Sequence, residues 1–99
     1  MNVISRDEVI DLLQSNREAL DQFGVESLAL FGSVARDRLR KRSDIDILVR
    51  FTQPTWNNYI GLKYYLQDLL GRNVDLVTPK ALKPATIPTI EKDLLYVIA

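Results

Sequence analysis

No cysteine and no histidine occur among the 99 residues. The first absence excludes disulfides, a thiolate nucleophile and a Cys-ligated zinc site, and the second removes the commonest general base and metal ligand. Chemistry here must run on carboxylates, hydroxyls and cations. A surplus of charge is missing as well: 13 basic residues stand against 13 acidic ones, so the chain lacks the positive field of a protein built to coat nucleic acid. No strong nucleic-acid binding is expected, and any basic partner surface must be local. There is no uninterrupted apolar run of membrane-spanning length, and the N-terminal MNVISRDEVIDLL places acids inside its apolar pattern, unlike the apolar core of a signal peptide. A soluble, cytoplasmic protein without membrane association follows as the expectation. What is present, 46% hydrophobic residues, suffices for one compact domain over residues 1–99 and leaves too little chain for a second substrate-binding domain.

Ser5 followed by Glu8 reads as a capping box, and Val9, Leu12, Leu13, Leu20 and Phe23 recur at helical spacing until Gly24, which predicts a helix over 6–22. The apolar run 26–31 ends at Gly32-Ser33 and reads as a buried strand breaking into a turn, with a short helix expected over 34–40. Residues 45–51 are β-branched and apolar and predict a second strand. From Trp56 to Leu70, the residues Tyr59, Leu62, Leu66 and Leu69 share one helical face, and Gly71 stands where a helix-terminating glycine belongs. A third strand is predicted over 73–77. The proline-rich 79–88 stretch admits only short helical pieces, and the segment 90–98 reads as a helix that can end in a strand. The fold class is α/β of the α+β type: a small mixed sheet with helices packed on it.

Side chains at i and i+2 of a strand project to one side about 7 Å apart, so Asp44 and Asp46 should stand together at the mouth of the second strand. Two carboxylates so placed repel each other, and a divalent cation with oxygen ligands relieves them. An isolated Asp-x-Asp is more often a turn residue followed by a solvent-facing strand position. Asp75 changes that balance. It lies between Val74 and Leu76 in the third strand, and helix 56–70 is a natural crossover between two parallel strands, which brings a third acid to the same sheet end. Taken alone, Asp75 reads equally as a ligand or as a buried polar residue satisfied by backbone or by Arg72. Gly32-Ser33 closes the first strand, so it meets the aspartates only if that strand runs antiparallel to the second. There the glycine lets backbone approach a phosphate, and the serine offers a hydroxyl and an N–H.

The spacing Gly32-Ser33, ten residues, Asp44-Ile45-Asp46, with Asp75 downstream, resembles the DNA polymerase beta-type nucleotidyltransferase superfamily. More closely, Leu30 to Arg36, Ser43 to Val49 and Gly71 to Val77 resemble the minimal nucleotidyltransferases, antitoxins encoded beside HEPN-domain toxins. Asp37 departs from the pattern, since many members have glycine there. The resemblance implies the nucleotidyltransferase fold and two Mg²⁺ ions contacted by Asp44 and Asp46, with Asp75 completing the second site and receiving the acceptor proton. It further implies an NTP, ATP in similar proteins, held by Gly32 and Ser33, and transfer of AMP to a tyrosine of a HEPN toxin. Arg36, one helical turn beyond Ser33, is the expected phosphate neighbour. The rest of the 36–42 basic run reads as a solvated loop. Tyr59 belongs to the core stripe, while Trp56, Tyr64 and Tyr65 form a candidate partner surface. Two other functions stay open: an antitoxin that acts by docking alone, and the catalytic part of a small-molecule or tRNA nucleotidyltransferase.

Overall fold

The computed structural model describes residue 3 and residues 5–99. Met1, Asn2 and Ile4, the start of the N-terminal segment read above, lie outside the described residues. Ser5 opens helix α1 (Arg6–Ser15): its Oγ accepts from the Glu8 N–H and donates to the Glu8 carboxylate, both at 3.3 Å. The expected 6–22 helix is two helices, because α1 stops at Asn16 and α2 (Arg17–Gln22) starts anew. The Asn16 amide explains the break. Its Nδ2 donates to the Leu12 carbonyl at 2.7 Å, competing with the backbone ladder, while the Tyr65 hydroxyl donates to its Oδ1.

Strands β1 (Val25–Phe31), β2 (Ile45–Phe51) and β3 (Val74–Val77) fall within a residue of the expected bounds. A fourth, β4 (Leu95–Ile98), closes the chain after helix α5 (Ile87–Asp93). The sheet order is β3-β2-β1-β4, with β1 antiparallel to both neighbours and β2 parallel to β3. This is the mixed sheet that the position of Gly32-Ser33 requires. Helix α4 (Trp56–Leu70) makes the crossover between the parallel strands. It is opened by Thr55, whose hydroxyl accepts from the Asn58 N–H, and ended by Gly71 in the left-handed region. The 79–88 stretch forms two single 3₁₀ turns, Pro79–Ala81 and Pro84–Thr86.

One sheet face carries the core. Ile45, Ile47 and Val49 of β2 and Leu28 and Leu30 of β1 are wholly buried with Leu13, Leu62, Leu66 and Leu70 from α1 and α4. At about 1.5–3 kcal/mol for each fully buried large aliphatic side chain, this face accounts for most of the favourable folding energy. Among the described residues, no helix is long and apolar enough to cross a membrane.

The helix expected over 34–40 is shorter, α3 (Gly32–Ala35). Asp37 ends it, because its φ of 55° is left-handed and turns the chain, letting the Arg38 N–H return to the Ser33 carbonyl at 2.8 Å. Glycine adopts that backbone without strain. Asp37 adds something glycine lacks: its carboxylate accepts from the Arg6 N–H at 2.9 Å and so ties the loop to the start of α1.

Candidate active site

Alternation along β2 decides what faces outward. With Ile45, Ile47 and Val49 in the core, Asp46, Leu48 and Arg50 share the other face. The register pairs Asp46 directly with Asp75 on the parallel neighbour β3 and with Phe31, the last residue of β1. Three strand segments therefore bring Asp46, Asp75 and the Gly32-Ser33 turn to one end of the sheet. Asp44 sits two residues ahead of Asp46, in the coil before β2, and is exposed, as is Asp75. Asp75 is thus not a buried polar residue, and Arg72 is not its partner.

The electrostatics at Asp46 record the crowding. Its carboxyl is raised from the usual 3.8 to about 6, first by burial, then by the charges of Asp75 and Asp44 and a proton-sharing contact with Asp75, with Arg36 pulling the other way. Among the described residues, no three acidic side chains are gathered into a finished cage for a cation. The donor chemistry fits one nonetheless: carboxylate oxygens, with no histidine or cysteine in the sequence to favour zinc, suit Mg²⁺. A cation beside Asp46 would reverse the repulsion that holds its proton.

Gly32 suits this geometry better than a residue with a side chain would. Its φ is +68°, and a Cβ there would collide with Oδ2 of Asp46. The glycine that the sequence suggests for a phosphate also makes room for the carboxylate. Ser33 follows it in the first turn of α3. Arg36, at the end of α3, is close enough to be felt by Asp46 but is paired through its guanidinium with Asp93 at the end of α5. The structure therefore places Arg36 beside the carboxylates and gives it a partner that sequence reasoning did not name.

Arg72 is a further residue that the sequence reading missed in this role. Its guanidinium donates to the carbonyls of Val3 (2.7 Å), Arg40 (2.6 Å) and Ser43 (3.1 Å), and the Ile45 N–H reaches the Asn73 carbonyl at 2.9 Å. The loop leading into Asp44 is thereby pinned to the turn leading into Asp75. A cation placed immediately after the helix-ending Gly71 was the available signal. Two clefts flank the acids. One of about 530 Å³ lies at Asp44 with Lys41, Arg42 and Arg72, and an apolar one of about 840 Å³ lies at Asp75 with Trp56 and Tyr59.

The nucleotidyltransferase domain family matches residues 12–97. The chain belongs to that family. Within it, this nucleotidyltransferase is 35% identical over 99 residues to the protein adenylyltransferase MntA of Thermococcus cleftensis, covering 98% of this chain and all of that one. A solved structure provisionally called a minimal nucleotidyltransferase superposes with a TM-score of 0.71 at 33% identity, covering 87% of this chain and 93% of the other. The fold also matches, at TM-score 0.57 and 22% identity, a chain from a complex of the tri-AMPylated Shewanella oneidensis HEPN toxin with MNT antitoxin, covering 93% of this chain and 67% of that one. The chain is an enzyme of the minimal nucleotidyltransferase type.

Proposed function

We propose that this nucleotidyltransferase is a cytoplasmic protein adenylyltransferase and antitoxin that moves AMP from ATP to a tyrosine hydroxyl of a HEPN-type toxin. The observation that carries the reading is the pairing of Asp46 with Asp75 across adjacent parallel strands, where burial and the charges of Asp75 and Asp44 together raise the Asp46 carboxyl to about 6. The adenylyl donor and the toxin follow the named relative and the solved complex. Asp44, Asp46 and Asp75 would hold two Mg²⁺ ions, which when bound offset triphosphate charge and acidify the acceptor hydroxyl.

The chain's own residues do the rest. Gly32 brings backbone close to the phosphates, Ser33 adds its hydroxyl and N–H, and Arg36 contributes positive charge when it swings from Asp93. Asp75, exposed at the strand end, is the base for the acceptor proton in this reading, a role open to a carboxylate in a chain without histidine. The acceptor oxygen forms a bond to the α-phosphorus as the bond to the bridging oxygen breaks, and pyrophosphate departs with that electron pair. Alignment of the acceptor supplies much of the rate, so transfer should depend on a docked partner.

The test is intact-mass measurement of a HEPN-type protein encoded beside this chain, incubated with it, ATP and Mg²⁺. AMP addition to a partner tyrosine is the expected result, and chelation of the metal should stop it. An unmodified partner inside an intact complex would instead establish an antitoxin that works by docking alone, and efficient transfer to a free small molecule or tRNA would give the third function.

A further inference from the structure

The apolar cleft beside Asp75 has a built wall and a charge gradient. Trp56 is 71% exposed, yet its ring is stacked on Tyr59 with centroids 5.8 Å apart. Tyr59 is itself fixed, because its hydroxyl donates to the Leu76 carbonyl at 2.7 Å. An exposed indole on an anchored aromatic platform is the kind of side chain that carries binding energy at protein interfaces. The cleft lies along β3, an edge strand. Edge strands invite a partner to add a strand, but here the Gln67 Oε1 accepts from the Val74 N–H while Tyr59 occupies the Leu76 carbonyl. Part of the β3 edge is therefore taken, and side chains of an occupant have to supply the greater part of its hold.

Charge gives the occupant a direction. Asp75 stands at one end of the cleft, while Arg50 and Lys80 stand at the other, both exposed and neither ion-paired among the described residues. With Asp75 level with Asp46 in the register, Arg50 lies four positions farther along β2, about 13 Å at the usual strand rise. Two cations over an apolar floor suit one carboxylate and its apolar neighbours, whereas a nucleic-acid strand brings a phosphate with every nucleotide and calls for a basic track.

We propose that this cleft reads the acceptor, and that its occupant is an extended polypeptide segment with an acidic residue about four positions from the hydroxyl-bearing side chain presented to Asp75. The proposal rests on the adenylyltransferase reading for the hydroxyl and on the cleft alone for the acidic, apolar segment.

Trp56 is the only tryptophan in the sequence, so its emission reports the cleft without any turnover. The probes are synthetic apolar peptides with a tyrosine and a glutamate four residues away, matched peptides with lysine in place of the glutamate, and a single-stranded oligouridylate, titrated without ATP or metal. The glutamate peptide should blue-shift the emission and bind about tenfold tighter than the lysine peptide at low salt. Reversing both cations, Arg50→Glu with Lys80→Glu, should invert that preference. Where transfer is measurable, Trp56→Ala should raise KM for the acceptor and leave KM for ATP unchanged. Equal binding of the two peptides, a stronger response to the oligonucleotide, or an unchanged acceptor KM in Trp56→Ala overturns the proposal. Selective glutamate-peptide binding in a protein that transfers nothing supports the cleft assignment while removing the adenylyltransferase reading, so the two fail separately.

Discussion

The two faces of β2 are built from alternate residues of one seven-residue strand and answer to different constraints. Ile45, Ile47 and Val49 are sealed under α1 and α4, whereas Asp46, Leu48 and Arg50 remain partly or fully open. The first face sets how firmly the chain folds. On the second, charge repulsion at Asp46 is tolerated within a structure secured by its neighbours. A one-residue slip in register would exchange the faces and bury the acids, so the core that stabilises the sheet also specifies where the carboxylates stand.

Paired substitutions on adjacent residues break this comparison most sharply. If Asp46 is the shared metal ligand proposed above, Asp46→Asn should lower transfer by about a thousandfold or more, while stability without metal should hold or rise as repulsion is relieved. Ile47→Ala, one position along, should cost about 2–5 kcal/mol of stability through lost burial and a cavity. Product formation and chemical denaturation in chelator separate the two effects. If Asp46→Asn proves as destabilising as Ile47→Ala, Asp46 is a structural residue and the division between the faces is wrong.

A smaller effect is expected where the open face meets the turn. Gly32→Ala places a Cβ against the Asp46 carboxylate and forces a non-glycine residue to a φ of +68°. The strain should cost about 1–2 kcal/mol, and displacement of the carboxylate should lower transfer by about a hundredfold. A crystal structure of the variant with an unmoved Asp46 and undiminished transfer would show that the close approach has no role.

Much of this was legible because it depends on periodicity and punctuation. A β-branched, apolar composition located β2, helical spacing and Gly71 bounded α4, and the crossover rule placed Asp75 beside Asp46. Features that depend on side chains meeting across long sequence distances were hidden. Asn16 breaks a periodic helix with its own amide, Arg36 finds Asp93 from 57 positions away, and Arg72 binds carbonyls on two separate segments. The sequence pattern also gave Gly32 a reason, a phosphate, without the second that the structure shows, the carboxylate directly beside it. Asp37 was visible as a departure, but only its left-handed backbone explains why glycine is at home there.

The gentlest way to sharpen the comparison is to titrate the open face. Folded Asp46 binds its proton at about 6 rather than 3.8, so between those values the metal-free folded state holds more protons than the unfolded state. Stability from this group therefore rises as pH falls through about 6 toward 3.8, and is lost again as pH rises, opposite in sign to an ion-paired aspartate. Solvent reaches this half-buried carboxylate, so the effect should be on the order of 1 kcal/mol. The readout is the difference in unfolding free energy between the unmodified protein and Asp46→Asn, measured in chelator across that range, so that contributions common to both proteins cancel. The Asn variant should hold its advantage at pH 7 and lose it near pH 4. Saturating Mg²⁺ should abolish the advantage at pH 7 by favouring the ionised form, with the cation released as pH falls. A difference that stays flat with pH in chelator would mean that Asp46 is not crowded by Asp44 and Asp75, and would remove the electrostatic reason for placing a cation among them.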